Sequence, residues 1–142
     1  VNHQASSQPR KEEEEKMIEK FQPASVPTPS GPYSPGIKVG DLLFLAGQAP
    51  FDANGNRVGE TFADQVRATL DNLERIANEA GTSLKNAVRI GAYLSTLNYF
   101  QEFNTVMAEY VSEPYPARTT IPVDLRGFDV EIDAVIYVPP AS

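Results

Sequence analysis

Thr61-Phe62-Ala63-Asp64-Gln65-Val66-Arg67-Ala68-Thr69-Leu70-Asp71-Asn72-Leu73-Glu74-Arg75-Ile76-Ala77-Asn78-Glu79-Ala80-Gly81 places Phe62, Val66, Leu70, Leu73, Ile76, Ala77 and Ala80 three to four residues apart. That period lays one apolar stripe along a helix. Thr61 stands where an N-cap belongs, and Asp64 takes the capping-box position that Glu or Gln more often fills. Gly81 is a natural stop just past the last turn. A striped helix must bury its stripe against another layer, and the flanking sequence supplies strands. Upstream, Ile37-Lys38-Val39 and Leu42-Leu43-Phe44-Leu45-Ala46 flank Gly40-Asp41, a spacing suited to a tight hairpin. The second of these runs is apolar throughout, as expected if both its faces are covered. Asp52 to Asn56 reads as a turn, with Gly55 free to take a positive φ.

Downstream, Val88 to Leu94 reads as a strand. Asn98 is placed to cap a second helix reaching about Val111, with Phe100, Phe103, Val106, Met107 and Tyr110 on its buried side. Pro114-Tyr115-Pro116 breaks that helix. Two further strands, Arg118 to Leu125 and Phe128 to Val138, meet at Arg126-Gly127. Pro122 assigns the first of them to an edge or a bulge. The order ββαβαββ predicts a two-layer α+β domain with both helices on one face of one sheet. This domain is expected over residues 31–142. Residues 1–30 read as an extension: a short charged helix over about 10–22, packing through Met17, Ile18 and Phe21, then a Pro-rich linker from Pro23 to Ser30.

Composition narrows the chemistry. The 142 residues include no cysteine, which removes thiol nucleophiles and disulfides, and one histidine, His3, in a polar terminal stretch. No metal site and no cofactor are expected. A net charge of −7, with twelve basic residues spread along the chain, argues against a phosphate-backbone partner. No apolar run approaches the roughly 20 residues of a membrane span. The chain begins with Val1 rather than Met; a cytoplasmic location is expected, with an exported form left open.

Four segments, in order, resemble the YjgF/RidA family of reactive-intermediate deaminases. They are Gly31-Pro32-Tyr33-Ser34-Pro35-Gly36, Leu45-Ala46-Gly47-Gln48-Ala49-Pro50, Tyr115-Pro116-Ala117-Arg118 and Val130-Glu131-Ile132-Asp133-Ala134, with the 61–81 helix between the second and third. The resemblance runs from about Gly31 to Val138. It implies a chorismate-mutase-like fold, a mixed sheet covered by two helices on one face, in a homotrimer with clefts between neighbours. It further implies that Arg118 binds a substrate carboxylate. Tyr33, Glu131, Asn104, Thr120 and Gly47 fall on the family's other site positions, with Arg118, Glu131 and Tyr33 as the catalytic set. Two departures stand out: Ala46 occupies a position that is serine in many members, and Thr120 one that is often cysteine. The substrate class implied is a 2-enamino or 2-imino acid such as 2-aminoacrylate, released as 2-oxo acid and ammonia.

The residue types suit that chemistry. Arg118 offers a planar fork of donors that matches a carboxylate, although an intersubunit salt bridge is its structural alternative. Alternation along the last strand puts Glu131 and Asp133 on the face opposite Val130 and Ile132. Glu131 is read as the group that positions water and handles its proton, and Asp133 as a solvated carboxylate. Tyr33 either packs over a ligand or anchors its loop, and Asn104 is either a site amide or a helix-surface one. The rival function is a non-catalytic, carboxylate-binding regulatory trimer, with an endoribonuclease-like role a third possibility.

Overall fold

In the computed structural model, which describes residues 17–141, six strands form a single mixed sheet. They are β1 (Ile18–Phe21), β2 (Gly36–Val39), β3 (Leu42–Gln48), β4 (Ala87–Leu94), β5 (Ala117–Pro122) and β6 (Val130–Tyr137), in spatial order β1-β2-β3-β6-β4-β5. Helices α1 (Phe62–Glu79) and α2 (Phe100–Met107) cover one face. Neighbouring strands are antiparallel except β4 and β5. A parallel pair needs a crossover, and α2 provides it. β5 is an edge strand, which is where Pro122 is tolerated.

Helix α1 begins and ends as its sequence dictates. Thr61 Oγ1 accepts from the Asp64 N–H at 3.1 Å. At the other end Gly81 has φ 83°, the Gly81 N–H donates to Asn78 O and the Thr82 N–H to Ala77 O. This is a Schellman stop, and a Cβ at the left-handed residue would strain it. Val66, Leu70, Leu73 and Ile76 are fully buried against Leu43, Ile132 and Ile136 of the sheet, each contributing about 1.5–3 kcal/mol by burial. Apolar periodicity overlooks three buried polar residues on the same helix. Gln65 Nε2 donates to Asp129 Oδ2 at 3.1 Å while its Oε1 accepts from the Asp129 N–H at 2.9 Å. Asn72 Nδ2 donates to Phe51 O at 2.8 Å, and Thr69 Oγ1 to Gln65 O at 2.8 Å. The Gln65 clamp, with Ser95 Oγ donating to Asp129 Oδ1 at 2.8 Å, fixes the chain just before β6.

The N-terminal reading needs correcting. Ile18–Phe21 is not helical: it pairs with β2 from Ile18↔Val39 to Phe21↔Gly36. A helix this short gains little from two apolar residues, whereas the β2 edge offers a ladder of backbone partners. The remainder of the helix expected over about 10–22, residues 10–16, lies outside the described residues. The Pro-rich stretch is likewise no free linker, since Val26 is 3% exposed in the core. The compact unit therefore includes β1 and the segment after it.

The remaining elements differ in extent. The second helix opens with a 3₁₀ turn, Leu97–Tyr99, whose cap is Thr96 rather than Asn98, and its α portion ends at Met107. Phe103, Val106 and Met107 are buried, whereas Phe100 stands partly exposed. The last two strands stop short of Leu125 and start after Phe128. Among the described residues no helix is long and apolar enough to cross a membrane.

Candidate active site

The six expected site residues gather into two groups on opposite faces of the sheet. Gly91 on β4 is the direct partner of both Asp133 on β6 and Thr119 on β5, so these three share the face away from the helices. Arg118 alternates with Thr119 and points to the helix face. Its guanidinium carbon lies 5.3 Å from the Phe100 ring centroid and 5.2 Å from that of Phe103, both on α2. Two aromatic faces attract the cation. Asn104, one turn on from Phe100, lines the same recess of about 380 Å³ with Met107, Val111, Tyr115 and Pro116. Thr120 lies on this face too, two residues along β5. Among the described residues, Arg118 makes neither ion pair nor hydrogen bond. Burial lowers its pKa from the ordinary arginine value, yet guanidinium stays charged at any physiological pH.

The second group faces the other way. Tyr33, Gly47 and Glu131 line a recess of about 420 Å³ with Pro27, Ser30 and Gln48. Glu131 lies against bare backbone: a Cβ on Gly47 would come within 2.7 Å of its Oε2. Burial, followed by the charge of Asp133, raises the Glu131 pKa above the usual carboxylate range. A raised carboxyl pKa is what a group exchanging protons near neutral pH needs. Tyr33 is 53% exposed, and its hydroxyl sits 3.5 Å from Ser30 Oγ. The ring leans on its own loop and leaves one side open to the recess.

The sequence did not foretell the phenyl pair around Arg118, for Phe100 and Phe103 read there as core of a helix. Their spacing of three, facing an arginine strand, is the signal in hindsight. Nor is Asp133 a solvated carboxylate, because Tyr93 Oη donates to its Oδ2 at 2.9 Å. Within one chain, then, Arg118 and Glu131 lie in separate recesses with the sheet between them.

Comparison with known proteins bears on the same residues. The family model described as Endoribonuclease L-PSP matches residues 23–138. A RutC family protein of Sinorhizobium fredii is 42% identical over 123 residues, covering 84% of this chain and 98% of that protein. The crystal structure of RidA from the Antarctic bacterium Psychrobacter superposes with a TM-score of 0.78 at 33% identity, covering 84% of this chain and 99% of that one. That of E. coli TdcF with bound serine superposes at 0.76 and 25% identity, over 85% and 99% of the two chains. The mixed sheet with two helices on one face is the architecture that these neighbours share.

Proposed function

This chain belongs to the Endoribonuclease L-PSP family, which is the YjgF/RidA family, and we propose that it hydrolyses reactive 2-imino and 2-enamino acids to 2-oxo acids and ammonia, in a homotrimer whose sites are each shared by two copies. The observation that carries this reading is Arg118, a cation over two phenyl rings beside an apolar recess, with no carboxylate on it among the described residues. A guanidinium so placed suits an acid group that arrives with a ligand, and the low-dielectric surroundings strengthen the pairing. The serine bound in TdcF is a ligand of that kind, a carboxylate beside a nitrogen-bearing carbon.

One chain cannot offer Arg118 and Glu131 to the same small molecule, because they project from opposite faces. A second copy seated against the outer face supplies the missing half. That face favours a neighbour: Phe44, Val39 and Tyr137 stand 46%, 41% and 39% exposed on it, a contiguous apolar patch of the sort that partners cover. It also accounts for the unbroken apolar run of β3. Leu43 and Leu45 face the helices, and Phe44 faces the neighbour.

In the shared site Arg118 grips the substrate carboxylate, and an enamine first takes a proton from water at C3 to become the iminium, a proton that the carbinolamine hydroxyl later gives back to water. Water held at Glu131 attacks C2 as the carboxylate accepts a proton, and the C=N π electrons go to nitrogen. Glu131 returns that proton to the nitrogen, the C2–N bond breaks, and the carbinolamine hydroxyl loses its proton as the carbonyl forms. Ammonia and a 2-oxo acid leave. Imines hydrolyse unaided in water, so placement and proton handling are the contribution asked of the site. The test is a panel of imino acids generated in situ by an amino-acid oxidase, with 2-oxo acid and ammonia measured. Release faster than in buffer is the expected result, and release at the buffer rate contradicts it. Tight binding of amino or 2-oxo acids without acceleration would instead favour the regulatory trimer, which the bound serine of TdcF also fits.

A further inference from the structure

We propose that Asp133, tied down by Tyr93, is a positioning residue that governs proton exchange at Glu131; the inference rests on the reading above of Glu131 as the group that handles the proton. Alternation along β6 sets the two carboxylates on one face, with their Cα atoms roughly 7 Å apart. Each has a glycine beside it on a different neighbouring strand. Glu131 lies over Gly47 of β3, and a Cβ on Gly91 of β4 would collide with Asp133 Oδ1. The two side chains therefore splay to opposite sides of β6 instead of sharing one hydrogen. Tyr93 is the cross-strand partner of Glu131, yet its hydroxyl reaches diagonally to Asp133 Oδ2, 2.9 Å away. Among the described residues Glu131 receives no such donor.

This arrangement divides the two carboxyls. The Tyr93 hydroxyl holds the Asp133 carboxylate in place, and that negative charge nearby disfavours a second one on Glu131. The directions agree: Glu131 is raised by burial and then by Asp133, and Tyr93 is raised first by its hydrogen bond to Asp133. The other groups on this face are few. Arg89 of β4 donates to Thr119 Oγ1 at 3.3 Å and lies close enough to Tyr93 to act weakly against its rise. Strand β3 presents Gly47 and Ala46, which carry no charge, and the loop before β2 brings Tyr33 to the recess. In the assembled site the partner subunit's Arg118 would face Glu131 from across the cleft. Asp133 is the anion in this set.

The sign follows from the role. Glu131 must be ionised to accept the proton of water, so activity falls as pH drops through its raised pKa. Asp133→Asn deletes the neighbouring charge and moves that acid limb to lower pH. Tyr93→Phe removes the hydroxyl dipole that offsets the Asp133 charge, so repulsion of the Glu131 anion grows and the limb moves up. Both replacements preserve shape. The experiment is a ¹³C NMR titration of the Glu131 carboxyl in the full chain, assigned with Glu131→Gln, for the wild type, Asp133→Asn and Tyr93→Phe, beside the pH profile of kcat/KM. Opposite displacements in the two variants are expected, which a purely structural role would not give. An unchanged Glu131 midpoint in all three overturns the inference, whether or not turnover is seen. Displaced midpoints with no acceleration of imine hydrolysis would support the coupling and instead remove the deaminase reading.

Discussion

Arg118→Ala lowers kcat/KM for imine hydrolysis by roughly two to three orders of magnitude, the scale expected when one partner of a desolvated, hydrogen-bonded charge pair is truncated. The loss is confined to function. Arg118 sits on an edge strand and makes no ion pair among the described residues, so its removal breaks no network within the chain. Phe103 stays packed in the core on its own account. Arg118→Lys restores only part of the rate, because an ammonium is a point charge that cannot fork onto both carboxylate oxygens. Steady-state kinetics with far-UV circular dichroism on the same samples separates this outcome from misfolding. Full activity in Arg118→Ala would remove the carboxylate anchor from the account.

Phe44→Asp converts the proposed trimer to single chains and abolishes turnover while leaving the fold intact. Phe44 projects from β3 between its cross-strand partners Ile37 and Val135, on the face that the helices do not cover. Exchanging it for a carboxylate costs little in the isolated chain, where water reaches the side chain. In an assembled trimer the same carboxylate is buried without a partner at every interface, at a cost of several kcal/mol each. Light scattering should show the mass fall from three chains to one, with the circular dichroism spectrum unchanged. A variant that keeps the wild-type mass would show that this face is not where copies meet.

Local signals in the sequence are legible because the structure satisfies them locally. Thr61, the stripe from Phe62 to Ala77, and Gly81 specify α1 with both its ends, and Gly40 with Asp41 specifies the β2–β3 hairpin at Val39↔Leu42. The edge position of Pro122 follows from one missing N–H. Local spacing misleads where tertiary pairing decides. Ile18 and Phe21 have helical spacing, but the backbone groups of β2 claim them as a strand. Asp133 reads as solvated until β4 is known to lie beside β6, which brings Tyr93 and Gly91 against it. The candidate site residues were legible through motif resemblance, not through pattern. No periodicity tells which face of the sheet Arg118 takes, because that depends on β5 running parallel to β4 under α2.

In the proposed trimer Arg118 and Glu131 act on one molecule only when they come from different copies. Arg118→Ala and Glu131→Gln should each be nearly inert, the second by about 10²- to 10⁴-fold for loss of a general acid–base group. Unfolded together in equal amounts and refolded, they should recover about a quarter of wild-type activity, since random assembly around a three-fold axis pairs an intact arginine with an intact neighbouring glutamate at that frequency. A refolded mixture no more active than its two components would contradict the claim.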